Sequence, residues 1–221
     1  MPKITIQSIE PLNHNVRRFV TDKPEGFEFT PGQATLVSID QDGLREKQRP
    51  FTFTSLPEED HLEFTIKVYP SHDGVTDELD DLKPGDRLII EDAWGAIQFK
   101  GKGTFIAGGA GVTPMLAILR KQALEKNDSV EQIIFSNHSE KDLFLEKELY
   151  AVSDGKLLLT FTKEQVEGAE YGRINQLFLR KHVADFGQYF YVCGPPKMVE
   201  SVRASLKELG ADSKKIITEE S

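Results

Sequence analysis

The sequence predicts two domains: a small antiparallel β-barrel over residues 1–100, then an α/β domain built on a parallel sheet over residues 101–221. Three observations predict this. The first half carries six short strand-like stretches punctuated by turn residues. The second half alternates strands with amphipathic helices. Two of its strands run straight into turns rich in glycine and proline, "AGGAGVTP" and "VCGPPKM".

The barrel strands are expected at "KITIQSIE", "VRRFVTDK", "QATLVSID", "RPFTFTS", "HLEFTIKVY" and "DRLIIEDA", with one short helix at "TDELDDL". Strands of this length and spacing suit an antiparallel barrel. Alternation is clearest in the fifth, with Leu62, Phe64, Ile66 and Val68 on one face and Glu63, Thr65, Lys67 and Tyr69 on the other. In the fourth, strict alternation puts Arg49, Phe51, Phe53 and Ser55 on one side and Thr52 and Thr54 on the other. That face fits either a barrel strand with an arginine at its mouth or a site for a flat aromatic ligand with an anionic tail.

The grammar changes near "FKGKGTF" (99–105). "TFIAGG" leads to the helix "TPMLAILRKQALEKN", "EQIIFSN" to "KDLFLEKELYAV", and "KLLLTFT" to a helix around "INQLFLRKHV". "YFYVCG" leads to "PKMVESVRASLKELG", with Val199, Val202, Leu206 and Leu209 on one helical face, and "KKIIT" closes the chain. Alternating βα units imply a parallel, Rossmann-like sheet covered on both sides.

Composition narrows the partners. A net charge of −9 without a basic run points away from nucleic acid. Arg17, Arg18 and Lys23, and Arg45, Lys47 and Arg49, read as local solvated patches. No apolar run is of membrane-spanning length, and "MPKITIQSIEP" lacks a signal-peptide layout, so a cytoplasmic protein with no membrane partner is expected. The single cysteine, Cys193, leaves no internal disulfide and no all-cysteine metal or iron–sulfur site; no metal is expected.

In "AGGAGVTP", Thr113 is placed to cap the following helix and Pro114 to occupy its first position. Glycines there admit a close ligand, and the helix start favours a phosphate. Pro114 stands where G-x-G-x-x-G would carry its last glycine, and the next strand ends "FSNHSEKD" without the acidic residue of ribose binding. An ordinary Rossmann dehydrogenase is disfavoured. "VCGPPKM" repeats this strand-to-helix turn, so both turns could face one ligand across the sheet's carboxyl end.

In this order, the segments resemble the ferredoxin–NADP reductase superfamily of flavoproteins. The likeness runs through Arg49-Pro50-Phe51-Thr52, Ile66-Lys67-Val68 with Gly74-Val75-Thr76, the turn Leu82–Asp86, Gly109–Pro114 with Gly109 and Gly111, and Cys193-Gly194-Pro195-Pro196. It covers essentially the whole chain. The resemblance implies a flavin domain followed by a nicotinamide-nucleotide domain. It implies that Arg49 pairs with flavin phosphate, Phe51 stacks on the isoalloxazine, Thr52 hydrogen-bonds near N5, and Gly74 to Thr76 meet the phosphates. Thr113, Pro114, Cys193, Gly194 and Pro195 fall on the nicotinamide side. Glu219 matches a glutamate near the family's C-terminus; two residues on, the family has an aromatic and this chain has Ser221. Ser136, His138, Lys141 and Arg173 are candidates around a 2′-phosphate. FAD is expected over FMN, NADPH or NADH as donor, and flavodoxin or ferredoxin as a separate acceptor. Reduction of free flavin or a ferric chelate is the enzyme alternative, and a non-catalytic flavin-binding regulatory subunit the other.

Overall fold

The computed structural model describes residues 1–68, 75–95 and 97–219. Six antiparallel strands form the first sheet: β1 (Lys3–Pro11), β2 (Val16–Asp22), β3 (Ala34–Ile39), β4 (Arg49–Thr52), β5 (His61–Lys67) and β6 (Arg87–Ile90), in the order β4-β3-β6-β1-β2-β5. A bridge between Phe53 and Phe64 brings the end of β4 against β5 and closes the barrel. The "TDELDDL" helix is one turn, α1 (Val75–Glu78), running into a 3-10 turn at Leu79–Asp81.

The fourth strand is shorter than its pattern predicts. Past Thr52 the chain leaves the ladder, Phe53 turns fully into the barrel core, and the Thr54 hydroxyl donates to Glu63 Oε1 at 2.7 Å. Phe53 stacks on Phe29 at 4.4 Å between ring centroids and packs with Phe19, Leu62, Phe64 and Ile90.

The second sheet is parallel: β7 (Gly103–Gly108), β8 (Val130–Asn137), β9 (Leu157–Phe161), β10 (Glu170–Tyr171), β11 (Tyr189–Cys193) and β12 (Ile216–Thr218), ordered β10-β9-β8-β7-β11-β12. The two-residue β10 is not foreseen by the sequence pattern. Helices α2 (Thr113–Leu124) and α3 (Glu146–Val152) cover one face; α4 (Gln176–His182) and α5 (Pro196–Glu208) cover the other. On α5, Val202 and Leu206 are fully buried, with Val199 and Leu209 packed beside them. The expected helix at "KDLFLEKELYAV" starts late. A 3-10 turn at Glu140–Asp142, capped by Ser139, and a left-handed Leu145 (φ 60°) come first.

The domains meet along an apolar seam. Val16 and Ile97, with Leu12 and Phe99 beside them, pack into the core formed by β7, β11 and α2. Gly32 is required there: its φ is +95°, and a Cβ would lie 2.0 Å from the Ile97 carbonyl oxygen. The connecting segment is tied down by Tyr191, whose hydroxyl accepts from the Lys100 and Gly101 N–H groups (2.9 and 3.1 Å) and donates to the Gly101 carbonyl (2.8 Å). Its ring stacks on Phe105 at 4.4 Å. No helix among the described residues is long and apolar enough to cross a membrane.

Tyr191→Phe keeps the stack and strands two donors and one acceptor. The expected loss is about 1–3 kcal/mol, read as a lower urea midpoint with an unchanged slope.

Candidate active site

The parallel sheet reverses its winding between β7 and β11, the strands ending at Gly108 and Cys193, and ligands in such sheets lie at that crevice. The barrel stands over this crevice, leaving an interdomain cleft of about 1820 Å³. That exceeds the roughly 300–1,000 Å³ of a drug-sized pocket.

On the barrel wall are Pro50, Phe51, Thr52, Ile66, Lys67 and Thr76. Phe51 and Thr52 both reach the cleft despite lying on alternate faces, because β4 is at the end of the strand order and stops at Thr52. Phe51 is half-buried against the barrel core, and Thr52 is buried. Two expected positions are not on this wall, and two fall where the structure gives no description. Arg49 is exposed, with one guanidinium N–H on the Gln48 carbonyl at 2.8 Å. Val68 is a core residue, because β5's inward face continues through it. Gly74, and with it Tyr69, lies outside the described residues, as does the side chain of Val75.

Opposite stand Gly109, Gly111, Thr113, Pro114, Ser136, Arg173, Cys193, Gly194, Pro195 and Glu219. The two turns touch: a Cβ on Gly111 would lie 2.4 Å from the Cys193 carbonyl oxygen, so glycine there lets one turn pack on the other. Thr113 does not cap α2. A 3-10 turn at Gly109–Val112 runs directly into the helix, Thr113 is already helical, and its hydroxyl donates back to Ala110 O at 2.9 Å. Pro114 is the helix's second residue, one place later than expected, because Thr113 is already helical.

Cys193 Sγ donates to Glu219 Oε2 at 3.5 Å. Burial pushes the thiol far above its ordinary range, and the facing carboxylate adds to this, so Sγ holds its proton through neutral and mildly alkaline pH. Ser221 lies outside the described residues.

Sequence reasoning did not single out Asn15, Trp94 or Asn137, which also line the cleft. Asn137 is only 6% exposed, and its Nδ2 has no hydrogen-bond partner. The one available signal was its place at the carboxyl end of β8, beside Ser136. Asn15 Oδ1 is likewise buried and unpartnered, in a β1–β2 turn that carries no motif. The chain's single tryptophan, Trp94, is half-exposed at the cleft and paired through its backbone with Ala34. Unpartnered buried amides facing a roomy cleft fit polar ligands such as FAD and a nicotinamide nucleotide.

A barrel and a parallel sheet closing on one such cleft define a two-domain flavoprotein oxidoreductase. Residues 3–99 match the oxidoreductase FAD-binding domain and residues 105–204 the oxidoreductase NAD-binding domain. Curated relatives include NADH-cytochrome b5 reductase 2 of Mycosarcoma maydis (30% identity, 90% of this chain, 63% of that protein). NADH-cytochrome b5 reductase 1 of Bos taurus is also 30% identical, over 92% of this chain and 80% of its own. The ferredoxin–NAD(P)+ reductase component of the Pseudomonas putida naphthalene 1,2-dioxygenase system is 25% identical, over 94% and 65%. Thus the chain spans just under two thirds of two of these relatives. The fold matches the FAD/NAD-binding domain of the Vibrio cholerae O1 biovar El Tor nitric oxide dioxygenase, with a TM-score of 0.86 at 20% identity over 98% and 96% of the two chains. The chain belongs to the ferredoxin–NADP reductase superfamily of FAD- and NAD-binding oxidoreductases.

Alkylation tests the thiol. Iodoacetamide should modify Cys193 slowly at pH 8, because the thiolate is the nucleophile. Glu219→Gln should speed it only modestly, since burial is the larger cause. Rapid wild-type labelling at pH 8 would contradict this account.

Proposed function

We propose that this oxidoreductase takes a hydride from NADH or NADPH onto FAD and passes single electrons to a separate carrier protein. One observation carries the reading: a single cleft is bordered by Phe51 and Thr52 on one wall and by Cys193 and Glu219 on the other. When bound, FAD supplies the chemistry that accepts two electrons at once and releases them singly.

The protein's part is placement. Phe51 offers a half-buried aromatic face for stacking, and the Thr52 hydroxyl beside it a hydrogen bond. Thr76 and the permanently charged, forked Arg49 serve the flavin phosphates, with Gly74 and Val75 supplying backbone. Ile66 and Lys67 complete that wall, with Val68 anchoring the strand in the core. Across the cleft, Gly109, Gly111, Gly194 and Pro195 let a nucleotide approach the backbone, and Thr113 and Pro114 open the helix beside it. Cys193 keeps its proton directed at Glu219 and so presents a neutral, close-packed surface to the nicotinamide. Ser136 and Arg173 belong to the nucleotide's far end. Arg173 is exposed at the cleft, so it is free to meet a 2′-phosphate.

A ferredoxin or flavodoxin is the proposed acceptor. The chain's single cysteine cannot hold an iron–sulfur cluster of its own, and the Pseudomonas putida relative is named a ferredoxin reductase component. A haem carrier is the second reading, supported by the two relatives named as cytochrome b5 reductases. A cytoplasmic setting, with carrier and nucleotide in the same compartment, is part of the proposal.

The purified protein should be yellow, with one noncovalent FAD per chain. Arg49→Ala should weaken retention about tenfold, the lower end for a charge-assisted pair because the guanidinium is exposed. A colourless protein that takes up neither FAD nor FMN would overturn the reading. Oxidation of NADH and NADPH should be followed with ferredoxin, flavodoxin, cytochrome b5 or free flavin as acceptor. Turnover with free flavin alone would reject the carrier. Arg173→Ala should raise KM for NADPH and not for NADH; equal changes would remove it from the 2′-phosphate.

A further inference from the structure

A closed ring of alternating charge joins the two domains away from the ligand-facing groups. Arg18 on β2 and Glu63 on β5 come from the barrel; Arg120 on α2 and Glu148 on α3 come from the α/β domain. Arg120 Nε contacts Glu148 Oε1 at 2.6 Å, and its NH1 contacts Glu63 Oε1 at 2.7 Å. Arg18 NH2 contacts Glu148 Oε2 at 3.0 Å, and its Nε lies 3.5 Å from Glu63 Oε2. The four side chains are between 10 and 28% exposed. Each domain gives one cation and one anion, so neither can shift without breaking two pairs at once.

Arg120 also ties the ring to both cleft walls. Its NH1 donates to the carbonyl of Thr54, two residues past Thr52, and Thr54 Oγ1 holds Glu63 in turn. Seven residues earlier on the same helix is Thr113, a lining residue of the opposite wall; at 1.5 Å rise per residue this is about 10 Å away along a rigid rod. The apolar seam is non-directional, whereas forked guanidinium–carboxylate contacts fix a register. Buried ion pairs add little net stability, and their best-attested use is to specify one arrangement.

We propose that Arg120 is a positioning residue for hydride transfer: through this ring it sets the separation and register of the flavin wall against the nicotinamide wall. This rests on the functional reading above. Arg120→Lys keeps the charge but cannot reach Glu63, Glu148 and the Thr54 carbonyl together. Glu148→Gln keeps the shape and removes one charge at a less buried corner.

The test uses the FAD-loaded full chain with spin labels on Glu28→Cys and Lys207→Cys, both exposed; Cys193, 6% exposed, is retained. In both ring variants the interdomain distance distribution should broaden while FAD content stays at the wild-type level. Rapid-mixing reduction of the flavin at saturating NADH or NADPH should slow about tenfold or more, since a full 1 Å misplacement can cost about 100-fold, with KM little changed. The double variant should be no slower than Arg120→Lys alone, because both act through one ring. If Arg120→Lys does not fold, Glu148→Gln alone decides. An unchanged distribution overturns the proposal, as does a broadened one with wild-type reduction rates. Failure of the wild type to be reduced by either donor rejects the functional reading, and the positioning role falls with it.

Discussion

Everything at the cleft depends on how the barrel is pressed onto the first face of the parallel sheet. Each domain has a core of its own, and among the described residues the barrel gives Val16 and Ile97, with Leu12 and Phe99, to the neighbouring core. This seam removes apolar surface from water without selecting an angle. Direction comes from polar contacts: Tyr191 holding the connecting backbone at Lys100 and Gly101, and Arg120 reaching from α2 to Glu63 and Thr54.

Much of this was legible in the sequence because it follows from period and punctuation. The change from alternating strands to βα units near residue 100 marks where the connecting segment enters β7. Glycine and proline at 109–114 and 193–196 mark the two turns that meet at the sheet's switch point, where the close approach of Cys193 demands glycine at 111. Pattern alone misplaced the end of β4. Phe53 continues the aromatic alternation but is turned into the core by Phe29 and Phe64, which come from distant parts of the chain.

The ring was not legible, for a physical reason. On β5, Glu63, Thr65 and Lys67 alternate against a core face as solvent-facing residues do. In the fold, Glu63 and Thr65 are buried, because a second domain stands where water would be. Arg18 read as part of a basic surface patch for the same reason. Which of many surface charges become neighbours depends on interdomain docking, and no local spacing encodes it. Asn137 was hidden differently: an asparagine at a strand end is unremarkable until its amide is found buried and unpaired.

Charge at the cleft runs against the charge of the whole. The chain carries −9, yet lysines 67, 100, 163 and 197 and Arg173 line the cleft, opposed there by Asp142 and Glu219. Glu219 accepts a hydrogen bond from the Cys193 thiol, and Asp142 accepts one from Ser139 and lies near the Lys67 charge. Among the described residues the cleft lining still carries five cations against two carboxylates, and a groove with a net excess of one sign attracts the opposite charge. Phosphates entering the cleft therefore meet a cationic lining on a chain whose net charge is negative.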